Sequence, residues 1–354
     1  LTTLHKYSAV AVGGFCLLLG CGNPAKAGED FYRGRTITLI VAAPKGAGYY
    51  SYARLFAAQF GGHIPGKPTV RLRTMSKEGG ILATNFIYNI APKDGSVLGM
   101  VRRSAPLQEI VGTPGVSYRS EKLKWIGSLD HEVAICTAMR SASVRTIAEI
   151  GAKPLTVGVL GPSYLATFPA ILKNTLGVPL EIAGYFASPN DIARAMERGE
   201  VDAMCSSYSS QKLRNPEWFA EDKVHILVQL AKEKHRELPR VPNALDIAKE
   251  DPARTILRTY AGALEMGRPV VAPGGVPAHR IALLRRVFME LTADETFLEE
   301  ARKQKLQINP RSGENVQAMV GDMAEIKGWI RTKLKEDLKQ QLPDGGTAGT
   351  KTRP

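Results

Sequence analysis

The chain has 354 residues, 44% hydrophobic and 23% charged, with a formal charge of +13. That length favours two domains over one, and the composition is globular. Beyond the first two dozen residues no segment stays apolar for the ~18 positions a membrane span requires, so the sequence predicts a soluble mature chain.

Lys6 supplies a short positive region, Ala9 to Gly20 an apolar stretch too short to span a bilayer, and small residues follow. This is the pattern of a secretory signal over residues 1–27. Two processing sites compete. Leu18-Leu19-Gly20-Cys21 has the form of a lipobox, which would lipidate Cys21, whereas Ala25-Lys26-Ala27 fits the small-x-small rule. Leu19 stands where lipoboxes usually carry a small residue, which favours the second. Loss of Lys6 and Lys26 with the leader lowers the charge of +13 by 2, to +11. Export argues against a nucleic-acid partner, and the scattered Lys and Arg leave anionic ligands, an acidic membrane face or an ordinary solvated surface. Cys16 and Cys21 lie in the leader, leaving Cys136 and Cys205 as either a disulfide in an oxidising compartment or two small buried hydrophobes.

After the leader, apolar runs alternate with helical patterns, as in parallel sheets covered by helices. Ile37 to Ala43, Thr69 to Thr74 and Ser96 to Val101 read as strands, with helices at Ser51 to Phe60 and Gly80 to Ile90. Leu123 to Met139 is nearly continuous extended chain that could leave one domain and enter another. A second α/β set follows, with strands at Leu155 to Leu160, Leu180 to Tyr185, Asp202 to Ser207 and Val224 to Leu230. Its helices are Tyr164 to Leu176 and Asn190 to Arg198. Arg268 to Pro273 reads as a strand carrying the chain back, followed by helices at Pro277 to Leu291, Glu295 to Gln304 and Gly313 to Leu338. The organisation expected is lobe 1 over 28–132 and 268–339, lobe 2 over 133–267 and a disordered tail over 340–354.

Lys45-Gly46-Ala47-Gly48-Tyr49-Tyr50-Ser51 joins a buried strand to a helix. Such a turn aims free backbone N–H groups beyond the strand ends, and the glycines allow close approach, so an anion is the natural guest. Gly161-Pro162-Ser163-Tyr164 has the same grammar in the second set. Facing each other, the two helix N-termini could grip one carboxylate, although a plain turn, or Ser163 acting as an N-cap, would give the same pattern.

Enzyme signatures fail. Gly61 to Lys67 spells GxxxxGK, yet Pro68 replaces the magnesium-holding Ser or Thr. Ser209 to Lys212 spells SxxK without its companion motifs. The histidines are dispersed, without metal-ligand spacing. No cofactor and no metal site is expected.

The order and spacing of FYRGRTITLIVAAPKGAGYYSYARLFA, SKEGGILATNFIYNIAPKDGSVLG, WIGSLDHEVAICTA, VGVLGPSYLATFPAILKNTLGVPLEIAGY and MGRPVVAPGGVPAHRIALLRR resemble the extracytoplasmic receptors of the tripartite tricarboxylate transporter family, the Bug proteins. The resemblance covers nearly all of the mature chain. It implies an α/β periplasmic-binding-protein-like fold of type II, two lobes joined by a strand hinge. It further implies a monomer closing on a small organic carboxylate, without catalysis, and a membrane partner of one large and one small integral subunit. The ligand would meet Lys45 to Ser51 and Gly161 to Tyr164, with further lining at Ser76 to Gly80 (Gly79 and Gly80 included), Arg103, Tyr185, Ser206 and Ser207. Tyr50, Tyr164 and Leu165 depart from the family pattern. Tyr49, Tyr50, Tyr52, Tyr164 and Tyr185 are either stacking faces for an aromatic or extended acid or core packing, and Arg103 either pairs a second carboxylate or is a solvated charge beside Arg102. A periplasmic sensor, or an exported hydrolase using Ser163 or Ser209, are the rival functions.

Overall fold

The computed structural model describes residues 31–339 except 143, 151–153, 161–163 and 327. The leader with Cys21, the tail from 340 to 354, and Gly161, Pro162 and Ser163 lie outside the described residues.

The strands are β1 (Thr36–Val41), β2 (Thr69–Thr74), β3 (Val97–Met100), β4 (Lys124–Ser128), β5 (Ala134–Met139), β6 (Leu155–Leu160), β7 (Leu180–Phe186), β8 (Ala203–Ser207), β9 (Val224–Leu230), β10 (Pro269–Ala272) and β11 (Arg311–Ser312). They form two sheets, ordered β11-β4-β10-β3-β1-β2 and β7-β6-β8-β5-β9. β1 is parallel to β2 and β3, and β6 is parallel to β7 and β8. Each sheet also takes one strand antiparallel just after the chain arrives from the other lobe, β5 against β8 and β10 against β3. This is the type II arrangement expected from the sequence. β3 is apolar and buried throughout, and β1 is so from Leu39 to Val41, because both of their faces are covered there. β2, at the edge, alternates and carries Arg71 and Arg73 outward, charges that discourage edge-to-edge pairing.

The two hinge crossings, 129–133 and 265–268, are stitched to each other. The amide of Glu132 donates to the Leu264 carbonyl at 2.9 Å, that of Gly267 to Asp130 at 2.8 Å, and that of Leu129 to Arg268 at 3.1 Å. A Cβ on Gly267 would stand 2.6 Å from the Asp130 carbonyl oxygen, so only glycine allows this close approach.

Among the differences from the sequence reading, three bear on how the lobes are built. The first helix begins at Gly48 instead of Ser51, because Gly46, at φ +84°, turns the chain before the apolar period starts. A helix at Asp251–Leu264 went unread, although it buries Ile256, Leu257, Tyr260, Ala261 and Leu264 along one face. The long C-terminal helix is two, Gly313–Ala324 against β4 and Gly328–Lys339. The last one, grouped by sequence with lobe 1, packs on the Tyr164–Leu176 and Asp251–Leu264 helices of lobe 2, burying Ile330 and Leu334.

Cys136 and Cys205 are directly opposed on β5 and β8 with Cα atoms 4.0 Å apart, and they are disulfide-bonded. Their separation of 69 residues means the bridge constrains the unfolded chain by about 4 kcal/mol in the loop-entropy picture.

Candidate ligand cleft

In both sheets the parallel strands point their C-terminal ends at the opposing lobe, which is where an open α/β sheet places a ligand. Lobe 1 brings the turn after β1 to this edge. Pro44, Lys45, Gly46 and Gly48 are exposed, and nothing lies within 4 Å of where a Cβ on Gly46 or Gly48 would sit. Ala47 is the N-cap and offers no side-chain acceptor, and no acidic residue stands in the first helical turn. No side-chain oxygen thus caps the first turn, although the Tyr50 amide donates to the Ala47 carbonyl at 2.9 Å.

Tyr49, next in the chain, turns inward and is buried. Its hydroxyl accepts the Arg103 amide at 3.1 Å. Its ring lies between two guanidiniums, Arg102 at 4.8 Å and Arg268 at 4.6 Å from the centroid. Cation–π contacts of this kind contribute ~0.5–2 kcal/mol each as water is excluded. Arg268 also covers Tyr52 at 4.7 Å. Glu132, on the first hinge crossing, accepts from both Arg103 and Arg268, and all three are buried. Burial pushes the Tyr49 phenol up, but Arg103, Arg268, Arg102 and the Arg103 amide together hold it below its usual value.

Beneath this layer Asp130 is fully buried. Desolvation pushes its carboxyl up to about 6, against the pull of Arg268, the Asn309 amide and His131. Asn309 donates to it at 3.1 Å. The Tyr52 hydroxyl donates to the Gln307 carbonyl at 2.9 Å, which makes Tyr52 hinge packing instead of a ligand face.

The sequence-predicted residues divide accordingly. Tyr49, Gly80 and Arg103 come together, Gly80 through Arg102, whose Cγ would be 2.5 Å from a Cβ there. Tyr49 presents its ring to arginines, and Arg103 is buried in an ion pair instead of being solvated beside Arg102. Lys45, Tyr50, Ser51, Ser76 and Gly79 lie at or near the exposed rim. From lobe 2, Ser206 and Ser207 end β8 and are buried. Ser207 stands opposite Ala134, two residues after Glu132. Tyr164 opens its helix and Tyr185 belongs to β7. Sequence reasoning missed Arg102, Asp130, Glu132 and Arg268. The available signal was charge abutting apolar runs at both crossings, in SLDHEVAI and MGRPVVA.

A separate groove of about 710 Å³ lies on the other flank of the hinge, beyond β9 and β11, lined by His131, Lys232, His235, Arg236, Leu306 and Arg311 among others. Lys212, in the SxxK segment, pairs with Glu237 at 2.5 Å, and among the described residues it makes no bond to Ser209.

Solved structures share this architecture. A TctC solute-binding protein from Polaromonas superposes with a TM-score of 0.65 at 17% identity, over 87% of this chain and 99% of its own. MatC from Rhodopseudomonas palustris, solved with malate, gives 0.59 at 19% over 86% and 99%. A second R. palustris protein, solved with adipate, gives 0.61 at 17% over 86% and 98%. The fold is that of the periplasmic solute-binding proteins. At these identities the likeness is one of fold. No family model matches the sequence, and no curated protein matches it. Among the described residues of this binding-protein fold, no helix is long and apolar enough to cross a membrane.

Proposed function

We propose that this chain is an extracytoplasmic receptor of the tripartite tricarboxylate type. It captures a small organic carboxylate between its lobes and delivers it to a transporter of one large and one small membrane subunit. The observation that carries this reading is the cationic edge of lobe 1. Arg102, Arg103 and Arg268 crowd one phenol beside a helix N-terminus without a side-chain cap, and Glu132 pairs with two of them. Charge of one sign, held where water is scarce, favours an anion. The malate and adipate in two proteins of like fold are in keeping with such a ligand. Closure follows from a ligand that touches both lobes and so stabilises the closed form.

A thermal-shift series over mono-, di- and tricarboxylates tests the reading. An acid at about 100 times its dissociation constant should add roughly 2.7 kcal/mol, and a flat response to every acid would refute it. Gly48→Leu should weaken binding more than tenfold while leaving the unliganded melting temperature within about 2 °C, because the new side chain enters open space at a helical position. Unchanged affinity would show that the turn does not face the ligand. For the partner, detergent-solubilised membranes from the native host should yield the two integral subunits on the liganded protein; their absence would leave carboxylate binding standing and remove the transporter.

A further inference from the structure

Three arginines meet at the cleft edge, and their charges are not equally neutralised. Arg103 and Arg268 share the buried carboxylate of Glu132. Among the described residues no acidic side chain pairs with Arg102. The groups that act on it electrostatically are the Tyr49 phenol and two further cations, Arg103 and Arg268.

The position of Arg102 is built, not incidental. It follows β3 by two residues, at the edge where the parallel strands leave the sheet. Its stem crosses Gly80, where an added Cβ would fall 2.5 Å from the Arg102 Cγ and 3.1 Å from the Ala42 Cβ. Gly80 holds φ +93°, so both its backbone and its missing side chain make room for the arginine. The guanidinium lies over the Tyr49 ring, 4.8 Å from its centroid, a contact that leaves a guanidinium's N–H donors available to a guest. The side chain is half-buried, unlike its two neighbours.

Resting on the carboxylate-binding reading above, we infer that Arg102 selects ligands bearing a second carboxylate, while Arg103 and Arg268 hold the hinge through Glu132. A group that repels its cationic neighbours and has no carboxylate of its own gains most from an incoming anion, and a planar guanidinium receives a carboxylate by two parallel hydrogen bonds. Burial and the two neighbouring arginines all act to lower the pKa of Arg102, which adds to the gain from neutralising it.

The test compares acids of equal chain length and different valence, succinate against butyrate and adipate against hexanoate, by calorimetry on the full mature chain. Wild type should prefer the diacid of at least one pair by tenfold or more, about 1.4 kcal/mol. Arg102→Gln should reduce that preference about tenfold. Arg102→Lys, which keeps the charge and loses the fork, should keep part of it, and raised salt should erode it in wild type more than in Arg102→Gln. Arg103→Gln should instead lower the unliganded melting temperature, which Arg102→Gln should leave within about 2 °C. A diacid preference that survives Arg102→Gln, or a wild type that binds both members of each pair equally, overturns the assignment while the carboxylate reading stands. If no acid binds wild type, that reading falls and takes the assignment with it.

Discussion

On one flank of the hinge three guanidiniums crowd a phenol and two of them share a carboxylate; on the other, a groove of about 710 Å³ is lined by His131, Lys232, His235 and Arg236. The second is the obvious cavity, yet it is the poorer candidate. Several of its charges are answered locally, Glu265 by Arg311 at 2.7 Å and Glu237 by both Lys212 and the Tyr208 hydroxyl. Pairs of this kind near water contribute little. Uncompensated charge, shielded from solvent, records what a guest of opposite sign would gain.

The sharpest way to break this contrast is Glu132→Gln, which leaves Arg103 and Arg268 buried without their carboxylate. It should cost about 3–5 kcal/mol in urea unfolding, and a loss under about 1 kcal/mol would make the cluster no different from the groove.

Next in size is the pH response of Asp130. Its folded value of about 6 lies above the unfolded 3.8, so the folded state holds this proton more tightly. The associated stability is full below pH 4 and is lost as pH rises through about 6, a change on the order of 3 kcal/mol. Asp130→Asn should flatten that slope, and an unaltered slope would assign it to other groups.

Tyr49→Phe keeps the ring between its arginines but removes the acceptor of the Arg103 amide. About 1 kcal/mol should be lost, with a larger loss for Tyr49→Leu, and equal losses would deny the ring any part. Smallest of all, Glu237→Gln on the groove side should move stability by less than about 1 kcal/mol. A larger effect there would reverse the ranking of the two flanks.

How far sequence reasoning reached depends on how local each feature is. The units from β1 to β3 and from β6 to β8 were legible because each is a short apolar run followed by a turn and a helical period. The end of the helix at Ala324 was not, since the sequence keeps a helical character beyond it. The cleft was half legible. Its glycine turn is contiguous, whereas Tyr49 meets Arg103 across 54 residues and Glu132 meets Arg268 across 136, distances at which periodicity carries no information. Arg103 stood out as an arginine at a strand end, and the same residue type one position earlier was noted only as its neighbour. Only the carboxylate that Arg103 has, and Arg102 lacks, separates them.

The Gly328–Lys339 helix leaves lobe 1 and fastens to lobe 2 through Ile330 and Leu334. A joint made of two adjacent ribbons can both bend and wring; a strap anchored away from them resists the wringing. In the receptor proposed above, such a strap would limit the halves to something near a single swing, like a door on a pin, so that a guest's grip would give one reproducible outline for a docking surface to recognise.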